Sequence, residues 1–220
     1  MTVSSSSAVV LLSGGQDSAT CLSVAVQECD QVMAIAFDYQ QRHNVELRQA
    51  ERLAKIAGVD FQVVDLSFIS ALTQNALTRK SIPIVCQEDE LPSTFVEGRN
   101  LFFLSAAAVI AKQKNSRKIY TGVCQTDFSG YPDCRDDFIR SLNTTVNLAM
   151  DYTFDIVTPL MFLTKAQTVL LMQRLGTLDW YKETHTCYEG ARPACGVCPA
   201  CQLRKAGFEE ANIVDPLSYA

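Results

Sequence analysis

The chain is expected to fold as an α/β protein, a doubly wound and mostly parallel sheet with a small cysteine-rich module at its C-terminal end. Three observations carry this expectation. Short apolar runs alternate with helix-period segments, the pattern of a parallel sheet covered by helices on both faces. The first apolar run passes directly into a turn rich in Gly and Ser, and that turn opens a helix pattern. The segments densest in polar side chains follow strands or precede helices, and that edge of a parallel sheet is where ligands bind.

In chain order, Met1 to Ser7 lacks a basic start and reads as a frayed tail rather than an export signal. Ala8-Val9-Val10-Leu11-Leu12 is the first strand, Ser13-Gly14-Gly15-Gln16-Asp17-Ser18 the turn, and Ala19 to Val26 the helix pattern. A strand, a glycine turn and a helix start together present backbone N–H groups to an anion. Adjacent glycines let the backbone come close to it, while Asp17 and Ser18 are either magnesium or phosphate contacts or an N-terminal cap. The turn has no lysine, so it is not the GxxxxGK[ST] loop of enzymes that cleave at the γ-phosphate.

Val32 to Phe37 and Phe61 to Asp65 read as the second and third strands. Between them Val45 to Ala57 has helix spacing and stops at Gly58, a good residue for a helix end. Residues 78–98 lack periodicity and read as a long loop, a lid or a binding loop. Asn100 is placed to cap an apolar helix running to about Lys114, and Lys118 to Gly122 is a fourth strand. Helices from Arg135 to Met150 and from Lys165 to Leu175 complete the main domain, 8–179. From about Trp180 periodicity fades, and 180–220 reads as a small module packed on that domain. The apolar stretch from Leu101 to Ala111 is too short to span a bilayer. Composition is that of an ordinary globular protein, 48% hydrophobic and 20% charged. A net charge of −5 argues against a protein whose main task is coating nucleic acid.

Of the nine cysteines, four crowd between 187 and 201. Cys195, Cys198 and Cys201 form C-x₂-C-x₂-C with Cys187 upstream, a set that suits tetrahedral Zn²⁺. An iron–sulfur cluster is the rival, although the bacterial ferredoxin run would place a further cysteine where Lys205 stands. A redox-active dithiol is the third reading. The remaining cysteines are scattered and read as small buried hydrophobes.

The turn sequence SGGQDS after the first strand resembles the PP-loop of the N-type ATP pyrophosphatases. That resemblance implies a pyrophosphate leaving group and attack on the α-phosphate. Further segments extend it: FDYQQRH at 37–43, LTRKSIP at 77–83, TFVEGRN at 94–100, TGVCQTDFSGYPDCR at 121–135 and TPL at 158–160, followed by the cysteines. In this order they are similar to the 7-cyano-7-deazaguanine synthase family over residues 8–208.

The resemblance implies strand order 3-2-1-4-5 and conversion of 7-carboxy-7-deazaguanine and ammonia to the nitrile, within queuosine biosynthesis and with two ATP consumed. It implies ATP with Mg²⁺ on Leu12-Ser13-Gly14-Gly15-Gln16-Asp17-Ser18-Ala19-Thr20-Cys21-Leu22. It also implies one structural Zn²⁺ per subunit on Cys187, Cys195, Cys198 and Cys201. Asp17 and Lys165 are the catalytic candidates. Arg99 and Arg135 are candidates for the substrate carboxylate, Asp127 for the guanine-like edge, and Asn100 for a further substrate contact. Phe128 and Tyr131 are candidates for stacking on the base, and His43 and His185 read as structural. Gln40, Gln125 and Gln167 depart from the residues common in the family and bear on the base pocket. The expected setting is a cytoplasmic enzyme of small molecules, monomer or homodimer, without nucleic acid or membrane. The competing readings are a PP-loop enzyme that modifies tRNA and a non-catalytic zinc protein that binds ATP.

Overall fold

The structure, a computed structural model, describes residues 6–41, 45–79, 81–84, 91–126 and 131–220. Five strands form one parallel sheet: β1 (Ser7–Leu11), β2 (Gln31–Asp38), β3 (Asp60–Asp65), β4 (Lys118–Tyr120) and β5 (Asp155–Val157). Their order is β3-β2-β1-β4-β5. The chain winds outward from β1 to β3, then crosses back to start β4 on the other side of β1. The carboxyl ends of β1 and β4 therefore flank a topological switch point, where such sheets open a crevice.

Because β1 is covered on both faces, its apolar run feeds two cores. Ala8, Val10 and Leu12 point to one side and pack with α1 (Gln16–Glu28) and α2 (Val45–Ala57) through Leu22, Ala50 and Leu53. Val9 and Leu11 point to the other and pack with α4 (Arg99–Gln113) and α5 (Asp136–Met150) through Leu104, Ala108, Ile139 and Leu142. This alternation is the period of two along a strand. Fully burying each Leu is worth about 1.5–3 kcal/mol. β3 and β5 are the two edge strands, and β3 exposes Asp60, Gln62 and Asp65, charges and polar groups that deter a stray strand from pairing there.

Several expectations change in detail. Ser6 and Ser7 are not tail: Ser7 opens β1, and the Asp30 carboxylate accepts from the Ser6 amide at 2.8 Å. Asn100 does not cap α4. The helix starts two residues earlier, at Arg99 after Gly98 at φ 72°, and Asn100 lies in its first turn. Neither Asp17 nor Ser18 caps α1, whose N-cap residue is Gly15 with no side-chain cap. Three elements had no sequence signal strong enough to mark them: α3 (Phe68–Leu72), β5 and α7 (Pro199–Glu210). Among the described residues no helix is long and apolar enough to cross a membrane.

Helices α6 (Lys165–Arg174) and α7 lie against each other, and Phe208 of α7 joins the same core as Val10 and Leu22. Gly207 permits the contact, since a Cβ there would lie 2.5 Å from that of Lys165. On the same helix Arg204 is only 1% exposed. Its guanidinium donates to both Asp215 oxygens at 2.9 Å and to the Thr184 hydroxyl at 2.6 Å, and it lies over the rings of Tyr181 and Phe208. Removing one member of such a pair strands a buried charge. Asp215→Ala is therefore expected to lower stability by about 3–5 kcal/mol, read as a fall in the denaturant midpoint. An unchanged midpoint would show that the pair is dispensable.

Candidate active site and metal centre

The turn after β1 is organised by the Ser18 hydroxyl. It accepts from the Ser13 amide at 3.2 Å and donates to the Gly15 carbonyl at 3.0 Å, with the Ser13 hydroxyl at 3.1 Å. Gly14 sits at φ 86°, and a Cβ there would fall 2.4 Å from the Glu46 carbonyl oxygen. Its glycine requirement comes from the close approach of α2, not from room for an anion. The His185 amide ties the same residue down by donating to the Gly14 carbonyl at 2.9 Å.

Beyond the turn lies a cavity of about 340 Å³ at the switch point. One end is lined by Ser13, Gly15, Gln16, Asp17, Ser18 and Lys165. Asp17 Oδ2 accepts from Lys165 Nζ at 2.6 Å, across a sequence separation of 148. Lys165 is 11% exposed and Asp17 30%, so the pair is shielded more than a surface ion pair would be. The buried Asp17 Oδ1 has no hydrogen-bond partner among the described residues, whereas the Gln16 side chain interacts with the Tyr181 hydroxyl. Buried polar atoms are ordinarily satisfied, so Asp17 Oδ1 fits a cation. Leu12 also lines the cavity, whereas Gly14, Ala19, Thr20, Cys21 and Leu22 do not. Ala19, Cys21 and Leu22 are core. The Thr20 hydroxyl supports the helix from behind, 2.7 Å from the Tyr181 hydroxyl.

The other end is aromatic and charged. Tyr39 and Glu46 follow β2, Arg99 and Phe103 come from α4, and Tyr131 and Tyr188 come from later loops. Burial opposes the charge of Arg99, but Tyr39, Asp133, Cys134 and Tyr131 around it hold it firmly protonated. Burial pushes Tyr39 up to about 12. The Tyr131 hydroxyl is 2.6 Å from that of Thr94, and its ring lies 5.8 Å from the Arg99 guanidinium.

The other expected substrate residues divide. Asn100 lines the cavity, but its amide donates to the Asp133 carbonyl at 3.1 Å, so it braces the loop after β4. Arg135 does not line the cavity and is exposed at the N-terminus of α5. Asp127, Phe128 and His43 lie outside the described residues. His185 lines the cavity beside the turn.

The three departing glutamines are not at the cavity wall. Gln40 occupies a left-handed conformation at φ 59°, a position that glycine tolerates better, and its side chain accepts from the Ser70 hydroxyl at 2.9 Å. Gln125 accepts from the Asp136 amide at 3.0 Å. Gln167 completes a capping box with Thr164 at the start of α6. Tyr39 lies within the FDYQQRH segment singled out from the sequence, though it had no role of its own there. Glu46 and Tyr188 carried no signal beyond proximity to the FDYQQRH and cysteine segments.

The sulfurs of Cys187, Cys195, Cys198 and Cys201 all lie within 4.8 Å of one another. Gly196 turns the chain at φ 71° under the Tyr219 ring. The Cys195 sulfur accepts from the Cys198 amide at 3.3 Å, and that of Cys187 from the Cys195 amide at 3.5 Å. Burial works against a Cys195 thiolate, but the Val197 and Cys198 amides outweigh it and bring the group down to about 7. Burial pushes Cys198 and Cys201 up. Thiols so placed give up their protons to a cation rather than to water, and the donor set fits one thiophilic metal ion.

A family model described as queuosine biosynthesis protein QueC matches residues 7–212. Among solved structures, a 4-thiouridine synthetase bound to RNA and ATP aligns at a TM-score of 0.53 and 17% identity, covering 94% of this chain and 50% of its own. The U34-tRNA thiolase NcsA from Methanococcus maripaludis, solved with its 4Fe–4S cluster, aligns at 0.52 and 13%, covering 94% and 66%. A predicted tRNA methyltransferase subunit from Methanocaldococcus jannaschii aligns at 0.50 and 19%, covering 76% and 74%. At these identities the structures show a shared fold, and the family match rests on the sequence itself. Spanning nearly the whole chain, turn and cysteines included, it establishes that this protein belongs to the QueC family of queuosine biosynthesis proteins.

Proposed function

We propose that the chain is an ATP-dependent ligase that converts 7-carboxy-7-deazaguanine and ammonia to 7-cyano-7-deazaguanine. The observation that carries this reading is one continuous cavity joining two unlike ends. A phosphate-type turn with Asp17 and Lys165 forms one, and Arg99 among aromatic side chains forms the other. A nucleotide and a flat anionic heterocycle placed in it would meet near the middle.

The carboxylate is a poor electrophile because oxide would have to leave. Its oxygen attacks the α-phosphorus of ATP and pyrophosphate departs. Ammonia then attacks the acyl carbon, expelling AMP and leaving a primary amide after loss of a proton. The amide oxygen attacks the α-phosphorus of a second ATP, pyrophosphate departs and the nitrogen loses a proton. The adenylated imidate then loses AMP and its remaining N–H proton to give the nitrile. Positioning and charge stabilisation supply most of such catalysis.

Ser13, Gly15, Gln16 and Ser18 are assigned to the departing pyrophosphate. Asp17 Oδ1 is assigned to Mg²⁺, which neutralises phosphate charge when bound. Lys165, held by Asp17 Oδ2, is assigned to the α-phosphate, and Arg99 to the substrate carboxylate, for which its planar fork is suited. Cys187, Cys195, Cys198 and Cys201 are assigned to one structural Zn²⁺. A regular tetrahedron with zinc–sulfur bonds of about 2.3 Å has sulfurs roughly 3.8 Å apart. The observed spread suits a single ion, whereas a four-iron cube would hold them farther apart.

Incubation with ATP, Mg²⁺, ammonia and 7-carboxy-7-deazaguanine is expected to yield the nitrile by mass spectrometry, with two AMP formed per product. Folded, metal-loaded protein that gives neither amide nor nitrile would exclude the reaction. Lys165→Ala is expected to lower kcat about 10²–10³-fold while metal content stays constant. A change confined to KM would remove Lys165 from the chemical step. Elemental analysis is expected to find one zinc per chain and no iron, and chelation at neutral pH should unfold the 187–201 segment. Stoichiometric iron with visible absorbance would overturn the zinc assignment.

A further inference from the structure

Two oppositely charged side chains, Arg99 and Glu46, line the aromatic end of the cavity, too far apart for a direct ion pair with each other. Arg99 forms no ion pair among the described residues, and the Glu46 carboxylate has neither an ion pair nor a hydrogen bond there. Glu46 stands in the first turn of α2, half-buried at the cavity wall. Burial pushes its carboxyl up to about 7, against the pull of Arg99. A half-buried carboxylate without a hydrogen bond among the described residues is disfavoured, so its place at a cavity wall points to a ligand that supplies donors. Tyr39 and Phe103, in edge contact at 5.4 Å, and Tyr131 line the same end of the cavity. The space therefore complements a flat ring with an anionic substituent on one side and N–H donors on the other.

We infer that Glu46 reads the base, its two carboxylate oxygens accepting from the N1–H and the 2-amino group of the deazaguanine while Arg99 holds the 7-carboxylate. The inference rests on the proposed acid substrate. It adds the residue that sets specificity for a guanine-type edge. The geometry also fixes that edge relative to the phosphate turn, because the Glu46 carbonyl is the atom packed against Gly14. Adenine-type rings offer a bare ring nitrogen at the N1 position and are rejected by two acceptor oxygens.

The test measures binding of 7-carboxy-7-deazaguanine and of its analogue lacking the 2-amino group to zinc-loaded wild type, Glu46→Gln and Glu46→Asp, with KM for ATP measured alongside. Wild type is expected to prefer the 2-amino compound on the order of 10- to 100-fold. Glu46→Gln, which turns one acceptor into a donor, should erase most of that preference and leave KM for ATP unchanged. Glu46→Asp keeps a carboxylate and should retain part of the preference, which separates loss of the group from loss of the fold. A preference unchanged in Glu46→Gln, no preference in wild type, or an effect on ATP alone would overturn the assignment while the proposed reaction stands. A wild type that neither binds nor converts the acid would instead overturn the reaction, and the base-reading role with it.

Discussion

The guanidinium of Arg204 is the charge on which the two halves of the site depend. A guanidinium so completely removed from water is tolerable only when its donors are filled, and here the partners come from separate parts of the chain. Asp215 lies in the C-terminal segment, Thr184 and the Tyr181 carbonyl in the stretch leading to the first metal-type cysteine. That stretch reaches the turn after β1 and the helix it opens, through the His185 amide on the Gly14 carbonyl and the Tyr181 hydroxyl against Thr20. Residues 181–187 thus run from the turn to Cys187, and one buried ion pair fixes where they lie.

Two bare backbones set the spacing of the reactive groups. At Gly14 the turn meets α2 so closely that a methyl group would collide with the Glu46 carbonyl, and at Gly207 helix α7 meets the root of Lys165 in the same way. Through the first contact the turn and Glu46 are held as one unit. Through the second, Lys165 is pressed toward Asp17 by a helix that also bears Cys201 and Arg204. The cysteine cluster supports the site by this mechanical route and also as wall, since Cys187 itself lines the cavity.

The sequence alone determined what is local. Strands of the main sheet were legible as short apolar runs buried on both faces and helices by their 3.6-residue period, and the turn and the cysteine set because their residues are adjacent or closely spaced. Elements too short or too mixed escaped: β5 has three residues, and the buried positions of α7 are Cys201, Arg204, Gly207 and Phe208, which carry no apolar stripe. Side-chain placement across long separations belonged to the tertiary structure. It paired Asp17 with Lys165, brought Glu46 and Arg99 to the wall of one cavity and left Arg135 outside it. It also gave Gln125 and Gln167 capping roles. The reason is physical: periodicity records which way a residue faces its own core. Which residues share a cavity depends on how closely separate elements approach, and here that distance is set by two glycines and one buried arginine.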